Sequence, residues 1–214
     1  MNQKNGKNSL GIDICFEDLD NPIELFKKWF SKAEETEIND PNAVAVATSN
    51  KDNQPNVRMV LLKGLSDKGF VFYTNFNSRK GSELKENQKA SMCFHWKSLR
   101  RQVRAIGKVE EVSAKEADDY FNSRPYKNRI GAWASSQSEK LDQRETFLKR
   151  IKDFEKKYPD QQNVPRPPNW SGWRLLPEEV EFWLDGEGRI HERLNYKKKI
   201  INGKKNFFIL KKID

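Results

Sequence analysis

Short segments in which apolar and polar residues alternate fill the first half of the chain, and they constrain the fold more than any other feature. Five of them are predicted to be strands, at residues 43–48, 56–63, 69–74, 90–96 and 102–112. Turn residues separate them, such as the Asp-Asn-Gln-Pro run at 52–55 and the glycine at 64. Short connections of this kind favour antiparallel pairing.

The second half adds further strands, and four helices complete the pattern. The additional strands are predicted at residues 173–176, 179–184, 189–196 and 207–210, with a turn at Asn202-Gly203 between the last two. Helices are predicted at residues 22–35, 78–86, 113–121 and 139–157. The fold class is therefore mainly β with α additions, arranged as a barrel.

Composition limits the organisation of the chain. Its 214 residues include 13 Phe, 6 Trp and 5 Tyr, which is enough for one core and too many for a disordered chain. We predict a loose N-terminal segment at residues 1–18 and a single domain at 19–214. No apolar run approaches the length of about 20 residues that a membrane span needs, and no secretory signal is visible. Cys15 and Cys93 are expected to be reduced thiols in a cytoplasmic protein without a membrane partner.

The net charge of +9 is unevenly distributed. Residues 189–214 contain nine Lys or Arg and two Asp or Glu, which leaves 31 basic and 29 acidic residues in the rest of the chain. The excess of positive charge thus belongs to one C-terminal hairpin, for which a solvated lysine-rich turn is the simplest interpretation. A nucleic-acid-binding barrel would instead interleave cations and aromatic residues on one surface, so no nucleic-acid partner is predicted.

Several well-known catalytic motifs are absent from the sequence. It contains no G-x-G-x-x-G or P-loop glycine pattern, no Cys-x-x-Cys and no His-x-x-His. The two histidines, His95 and His191, are too few for a typical metal site, and no metal is predicted. A Ser-His-Asp triad would lack the G-x-S-x-G elbow.

Basic residues inside otherwise apolar strands indicate an anion site. Arg58 and Lys63 bracket the apolar run Met59, Val60, Leu61 and Leu62. On a regular strand the two cations would project to opposite faces, unless a local bend brings them together. A solvated arginine at a strand end is an equally good interpretation of Arg58.

Two helix ends could hold phosphate groups. Ser78, Arg79 and Lys80 begin a predicted helix, whose free N–H groups and positive dipole end would complete a phosphate cradle. Tyr120 and Arg124 are four residues apart and share a helix face, from which both can donate to a phosphate. The simpler alternatives are a serine N-cap followed by surface charges, and a surface pair.

The segment Arg189-Ile190-His191-Glu192-Arg193 is the most distinctive constellation. With period two, Arg189, His191 and Arg193 are predicted to lie on one face of one strand. Three potentially cationic groups repel each other unless an anion or a π system lies opposite, and Trp183 could supply a ring. The alternative is a polar barrel exterior beside the basic hairpin.

Taken together, these segments resemble the pyridoxine/pyridoxamine 5′-phosphate oxidase family. The matching stretches run in the family's order between about residues 20 and 195. They are Arg58-Met59-Val60-Leu61-Leu62-Lys63, Tyr73-Thr74, Ser78-Arg79-Lys80, Gln102-Val103-Arg104, Tyr120-Phe121-Asn122-Ser123-Arg124-Pro125, the run at 131–138, Pro165-Arg166-Pro167, Trp170-Ser171-Gly172, Glu181-Phe182-Trp183 and Arg189-Ile190-His191-Glu192-Arg193. Residue 128 is Asn, where the family commonly has Ser.

The resemblance implies an FMN-binding split β-barrel that forms a homodimer, with two FMN sites at the subunit interface. The residues it implies for FMN are Arg58, Met59, Val60, Leu61, Leu62, Lys63, Tyr73, Thr74, Ser78, Arg79, Lys80, Gln102, Gln137, Ser138, Trp183 and Arg193. Those implied for the substrate are Lys63, Tyr120, Arg124, Asn128, Arg189, Ile190 and His191, with Arg189 and His191 as the catalytic residues. Two phosphates, one on FMN and one on the substrate, would explain the many cations.

The implied reaction is the FMN-dependent oxidation of pyridoxamine 5′-phosphate or pyridoxine 5′-phosphate to pyridoxal 5′-phosphate. Dioxygen would be the electron acceptor and hydrogen peroxide the second product, as a step of vitamin B6 metabolism. Two alternatives stay open: another split-barrel flavoprotein, such as a flavin reductase, and a non-catalytic pyridoxal phosphate carrier. Tyr120, Arg124 and the Arg189-Ile190-His191 run favour the oxidase, because FMN binding alone does not require them.

Overall fold

A nine-stranded antiparallel sheet, curled into a half-barrel, forms the centre of the computed structural model, which describes residues 6–201 and 204–213. Its strands are β1 (Ala43–Ser49), β2 (Pro55–Leu61), β3 (Gly64–Ser66), β4 (Gly69–Asn75), β5 (Lys89–Trp96), β6 (Arg101–Glu111), β7 (Trp170–Leu184), β8 (Glu192–Ile201) and β9 (Lys204–Ile213). They pair in the order β2-β1-β5-β6-β7-β4-β3, and β8 lies between β7 and β9. The predicted fold class, a mainly β split barrel with helical additions, is confirmed.

Strand β7 pairs with three other strands, and the prediction of two separate strands in its place is wrong. It pairs with β4 at its beginning, with β8 at its end and with β6 along most of its length. Pro177 lies opposite Gly107, where the β6–β7 register shifts. A bulge tolerates a residue that has no N–H to donate. At Gly107 a Cβ would lie 2.0 Å from the Leu176 carbonyl oxygen, so only glycine allows this close approach.

Five α-helices accompany the sheet within the described residues. They are α1 (Pro22–Thr36), α2 (Arg79–Glu86), α3 (Ala114–Ser123), α4 (Tyr126–Ala134) and α5 (Arg144–Lys157). Side chains cap the first turns of α1, α2 and α3, where Asn21, Ser78 and Ser113 each accept a backbone N–H. Helix α5 begins five residues later than predicted.

Helix α4 was not predicted, because tertiary contacts rather than a clear apolar stripe stabilise it. The buried guanidinium of Arg129 donates to the carbonyl oxygens of Gln161 and Gln162 at 2.6 and 3.2 Å, which fastens α4 to the segment that precedes β7. Ile130 and Ala134 are also buried. A charged residue on the buried face breaks the helical pattern in the sequence.

A turn replaces the first part of the strand predicted at 189–196. Residues Glu187–Arg189 form a single 3₁₀ turn, and β8 begins only at Glu192. Gly188 and Arg189 both have positive φ, 64° and 66°, which a strand does not allow. The prediction that Arg189 and His191 share a strand face with Arg193 is therefore wrong. The turn predicted at residues 202–203 lies outside the described residues.

The described part of the N-terminal segment packs against the sheet. Ile12 and Phe16 are fully buried, and the Phe16 ring lies 5.2 Å from the ring of Trp29 in α1. The predicted looseness does not extend to these residues, because they bury large apolar side chains. The boundary at residues 18 and 19 stays a prediction.

The main core lies between α1 and the concave face of the sheet. Its largest members are aromatic, and Phe26, Phe70 and Phe94 meet with ring centroids 4.8 to 6.0 Å apart. A second, smaller cluster around Phe121 and Trp170 joins α3 and α4 to β7. Among the described residues, no helix has the length and apolar character needed to cross a membrane.

Candidate active site

A cavity of about 640 Å³ opens between β2, β4 and the helices α3 and α4. Twelve residues predicted for the site line it: Arg58, Met59, Val60, Leu61, Lys63, Tyr73, Thr74, Lys80, Tyr120, Arg124, Asn128 and Gln137. Its described lining contains several cations and no carboxylate. Such a surface attracts anions, since nothing in the lining itself neutralises it.

The end of β2 brings Arg58 and Lys63 to the same cavity. The strand stops at Leu61, and the backbone N–H of Lys63 donates to the carbonyl oxygen of Val71 in β4 at 2.9 Å. The local bend, one of the two alternatives that the sequence left open, is what the structure shows. Leu62 differs from its neighbours, because its side chain is buried in the main core.

The start of α2 presents Lys80 among neutral partners. Its ammonium group donates to the Ser78 hydroxyl and to Oε1 of Gln137, each at 3.2 Å. Burial, and to a smaller extent the charge of Arg58, lowers the pKa of Lys80 to about 8. A bound anion would stabilise the protonated form of Lys80, because both hydrogen-bond partners of its ammonium group are neutral.

The loop after α4 closes over the same helix start. The Ser138 hydroxyl accepts from the backbone N–H of Arg79 at 3.3 Å, and the Thr74 hydroxyl lies 3.4 Å from Oε1 of Gln137. Ser138 adopts a positive φ of 70°. The predicted FMN residues of β4, α2 and this loop are thus brought together, with Ser78, Arg79 and Ser138 beside the cavity rather than in its lining.

An aromatic stack supports the guanidinium of Arg124. The rings of Tyr73 and Tyr120 lie 4.0 Å apart, Trp170 stacks on Tyr73 at 5.3 Å, and Arg124 lies 4.8 Å from the Trp170 ring. Burial raises the pKa of Tyr73 to about 12 and also raises the pKa of Tyr120, so both phenols keep their protons. Burial lowers the pKa of Arg124, yet a guanidinium stays charged in proteins.

One nitrogen of Arg124, Nη1, is a buried side-chain donor of the cavity lining that lacks a hydrogen-bond partner among the described residues. An unsatisfied buried donor on a charged group is costly, because it has lost water without gaining an acceptor. A bound anion in the cavity would satisfy it.

Sequence reasoning missed six residues of the lining: Asn75, Lys127, Gly131, Ala132, Ser135 and Trp170. Four of them belong to α4 or follow it directly, and they were missed together with that helix. Trp170 lay in a matching stretch, but its role as the platform under Arg124 depends on the stacking seen only in three dimensions.

A second group of predicted site residues lies at the other end of β7. Gln102 pairs with Trp183 across β6 and β7, Trp183 pairs with Arg193 across β7 and β8, and the His191 ring lies 4.8 Å from the Trp183 ring. We call Gln102, Trp183, His191 and Arg193 the β7-end cluster. The ring predicted beside the His191 segment is therefore present. Arg189 and Ile190 are exposed on the adjacent turn.

The cavity and the β7-end cluster are well separated within one chain. Tyr73 of the cavity pairs with Gly172, and Gln102 of the β7-end cluster pairs with Trp183. These two β7 positions lie roughly 36 Å apart along the strand, at a rise of about 3.3 Å per residue. One chain does not bring all the predicted residues to a single pocket.

Carboxylates accompany the β7-end cluster. Glu181 is buried and accepts from Arg193 at 3.3 Å and from Arg104 at 3.0 Å. Asp185 accepts from Arg100 at 2.8 Å and lies 3.2 Å from Nδ1 of His191. This half is therefore largely neutralised by acids of its own chain. Of the cations that line the cavity, Arg58 has a carboxylate partner, Glu83 at 3.3 Å.

The curled antiparallel barrel and its cation-lined cavity define a split-barrel protein with a cavity suited to anionic ligands. A family model described as "Pyridoxamine 5'-phosphate oxidase" matches residues 30–184, and one described as "Pyridoxine 5'-phosphate oxidase C-terminal dimerisation region" matches residues 170–206. The chain belongs to the pyridoxamine 5′-phosphate oxidase family. The family's dimerisation region supports the predicted homodimer.

Relatives with the same family name cover nearly the whole chain. A pyridoxine/pyridoxamine 5′-phosphate oxidase of Pelagibacter ubique is 59% identical over 194 residues, which is 91% of this chain and 93% of that protein. One of Sinorhizobium fredii is 53% identical over 188 residues, or 88% of this chain and 91% of the relative. These identities identify the chain as an oxidoreductase of this family.

Solved structures share the fold. PhzG from Burkholderia lata, solved with tetrahydrophenazine-1-carboxylic acid, is 28% identical with a TM-score of 0.84, and the match covers 97% of this chain and 100% of that one. A pyridoxamine 5′-phosphate oxidase-related, FMN binding protein from Nostoc punctiforme has a TM-score of 0.69 at 16% identity, covering 89% of this chain and 98% of that one. The second likeness concerns the fold alone.

Proposed function

We propose that this protein binds FMN and oxidises pyridoxamine 5′-phosphate or pyridoxine 5′-phosphate to pyridoxal 5′-phosphate, with dioxygen as acceptor and hydrogen peroxide as product. The observation that carries the proposal is the cavity itself, whose described lining has several cations and no acid. Two phosphorylated ligands in one pocket require such an excess of positive charge. The names of the relatives at 53–59% identity support the substrate class.

The residues at the start of α2 fit the phosphate of FMN. Lys80 has neutral partners, a depressed pKa and a place in the cavity lining, and Arg58 lies in the same lining. The first turn of α2 adds backbone N–H groups and the positive end of the helix dipole. A volume of about 640 Å³ is within the range of small-molecule and cofactor sites.

The opposite side of the cavity fits the phosphate of the substrate. Arg124 presents its unpartnered Nη1, and the Tyr120 phenol, protonated because of its raised pKa, can donate beside it. Lys63 and Asn128 belong to the same lining and add two further donors. Charge-assisted hydrogen bonds of this kind recognise phosphate strongly.

The β7-end cluster supplies the other half of the site from the partner subunit. In a two-fold dimer, a residue group at one end of β7 can meet the cavity of the second chain, which one chain alone does not allow. Gln102, Trp183 and Arg193 would then contact FMN, while Arg189, Ile190 and His191 would contact the substrate ring. The dimerisation match at residues 170–206 includes Trp183 and Arg193 of the FMN residues. It also includes the three substrate residues, Arg189, Ile190 and His191.

The contacts of His191 hold its ring through Nδ1. This atom lies 3.2 Å from the backbone nitrogen of Gly186 and 3.2 Å from Oδ1 of Asp185. Both neighbours are on the Nδ1 side of the ring, so Nε2 is the nitrogen left to face the substrate. When Nε2 carries a proton, it can donate to negative charge on the substrate.

Bound FMN would accept a hydride from the substrate carbon that bears the amine or alcohol and would return the electrons to dioxygen. The protein's part is to orient and to stabilise. The Tyr73, Tyr120 and Trp170 stack forms an apolar wall beside Arg124, which keeps water from the phosphate anchor. Holding the two reactants in a fixed orientation contributes a large share of the rate enhancement.

The visible spectrum of the purified protein and a peroxide assay test this proposal. We expect a yellow protein with about one FMN per chain, because each cavity holds one cofactor phosphate. Addition of pyridoxamine 5′-phosphate under air should yield pyridoxal 5′-phosphate and hydrogen peroxide in equal amounts. A colourless protein that does not quench the fluorescence of added FMN would refute the proposal.

A further inference from the structure

The carboxylate of Glu83 is almost completely enclosed beside the proposed FMN phosphate site. It projects from α2 toward β1 and β2, and its side chain is 4% exposed. Oε1 accepts from Nδ2 of Asn56 at 2.6 Å and from Nε of Arg79 at 3.3 Å. Oε2 accepts from Nη2 of Arg58 at 3.3 Å and from the Thr48 hydroxyl. An acid beside a phosphate site requires an explanation, since it repels the ligand.

The contacts of Glu83 connect two arginines from different elements. Arg58 belongs to β2 and Arg79 to the first turn of α2, and each donates to a different oxygen of the same carboxylate. Without an anion between them, the two guanidiniums and the ammonium group of Lys80 would repel one another. Long flexible side chains also lose conformational entropy when they are fixed. Glu83 counters both effects before any ligand arrives.

We propose that Glu83 is a positioning residue that holds Arg58 and Arg79 in the orientation needed for the phosphate of FMN. The inference rests on the proposed function, because it assumes FMN as the ligand. With Glu83 ionised, the three cations and one carboxylate carry a net charge of +2 when Lys80 is protonated. That charge balances a phosphate monoester dianion, whose second pKa is about 6.

Direct electrostatics and positioning predict opposite effects of removing this charge. If Glu83 only repelled the phosphate, its neutralisation would strengthen FMN binding. If Glu83 positions the arginines, neutralisation removes the ion pairs that orient them and weakens binding, although a negative charge has been removed. The sign of the change therefore distinguishes the two roles without any assumption about its size.

The experiment compares Glu83→Gln with Glu86→Gln by fluorescence titration of the apoprotein with FMN and with riboflavin. Glu86 is an exposed acid on the same helix, so its variant removes an equal charge outside the cluster. We expect Glu83→Gln to raise the Kd for FMN roughly 10-fold to 100-fold, the range of one or two charge-assisted hydrogen bonds. The Kd for riboflavin, which has no phosphate, should stay unchanged, and Glu86→Gln should bind both ligands like wild type.

Two results with Glu83→Gln would overturn the inference. Unchanged or tighter FMN binding by Glu83→Gln would show direct repulsion, and an equal loss of FMN and riboflavin affinity would show general damage to the fold. A wild-type protein that binds no FMN would instead refute the proposed function on which the inference rests. If Glu83→Gln does not fold, Glu83→Asp keeps the charge but shortens its reach. The same selective loss of FMN affinity is expected, and wild-type affinity would contradict the positioning role.

Discussion

The cavity and the β7-end cluster both contain cations, yet they are balanced in different ways. In the cavity, Lys80 donates only to neutral oxygens and Arg124 has a buried nitrogen with no partner among the described residues. In the β7-end cluster, Arg193 donates to Glu181, and His191 lies beside Asp185. The cavity is therefore prepared to take up anions. The β7-end cluster is already neutralised and is better suited to orient and polarise a ligand that the cavity holds.

Because of this difference, we expect substitutions in the cavity and substitutions near the β7-end cluster to have different consequences. Changes in the cavity should weaken the binding of phosphorylated ligands, with smaller effects on turnover. Changes at the turn and strand beside the β7-end cluster should slow turnover, with smaller effects on binding. The predictions below test this division.

The largest effect is expected for Arg189 and for His191 of the β7-end cluster. We expect Arg189→Ala and His191→Ala each to lower kcat by about 100-fold or more, the usual result of removing a preorganised electrostatic donor. FMN affinity should change far less, because the cofactor phosphate is bound elsewhere. Steady-state kinetics together with FMN titration measures both quantities. Glu187→Gln, an exposed change in the same turn, is the matched control. Normal kcat combined with loss of flavin would show that this turn binds the cofactor instead.

The next largest effect is expected at the phosphate anchor of the cavity. Arg124→Ala should raise KM for pyridoxine 5′-phosphate by about 10-fold to 100-fold, since a charge-assisted hydrogen bond contributes roughly 1.5–3 kcal/mol. The change in kcat should be smaller. Unphosphorylated pyridoxine should be a very poor substrate for wild type, and Arg144→Ala, at an exposed position of α5, should be silent. Similar kcat/KM values for both substrates would show that Arg124 does not recognise a phosphate.

The depressed pKa of Lys80 predicts a pH dependence for FMN binding. Below its pKa of about 8, the free protein already has the charged ammonium group, so affinity should be constant. Above it the free protein loses that proton and binding must recover it, so affinity should fall by up to about tenfold per pH unit. FMN titrations between pH 7 and pH 9.5 measure this, with riboflavin as the control. Lys80→Arg should abolish the dependence, because a guanidinium stays charged throughout this range. A flat wild-type profile would contradict this role of Lys80.

The smallest effect is expected for Asn128→Ser. The Asn128 amide and a serine hydroxyl are both neutral donors at one position of the cavity lining. Exchanging one neutral hydrogen bond for another alters free energy by about 1 kcal/mol or less, so KM should change by no more than about fivefold. A loss comparable to that of Arg124→Ala would mean that Asn128 is a principal phosphate anchor.

Rules that use neighbouring residues predicted much of the fold. They failed for elements whose structure depends on contacts with residues distant in sequence. Helices α1, α2 and α3 begin within one residue of their predicted starts, because Asn21, Ser78 and Ser113 cap them through contacts with neighbouring residues alone. Helix α4 was missed, because its stability depends on Arg129 and a segment about 30 residues away. The glycines at 186 and 188 produce a turn where alternation suggested a strand, and the positive φ of Gly188 outweighs the pattern.

The candidate site was predictable in its residue types but not in its assembly. The sequence pointed to both the Arg58–Lys63 pair and the Arg189–Arg193 segment. Their placement at different ends of β7 depends on strand order and register. The alternation of apolar and polar residues along a strand does not specify either of them. Our proposal that a second chain unites them rests on this separation and on the dimerisation match.

The central claim, that each active site combines the cavity of one chain with the β7-end cluster of the other, can be tested with mixed dimers. Arg124→Ala and His191→Ala chains with different affinity tags would be co-expressed, and the heterodimer isolated by two affinity steps. One of its two sites then combines an intact cavity with an intact His191. At saturating FMN and a substrate concentration well below the wild-type KM, the heterodimer should therefore recover about half of wild-type activity, while each homodimer should be about tenfold or more less active than wild type. A heterodimer no more active than the two homodimers would place the complete site within one chain and contradict this account.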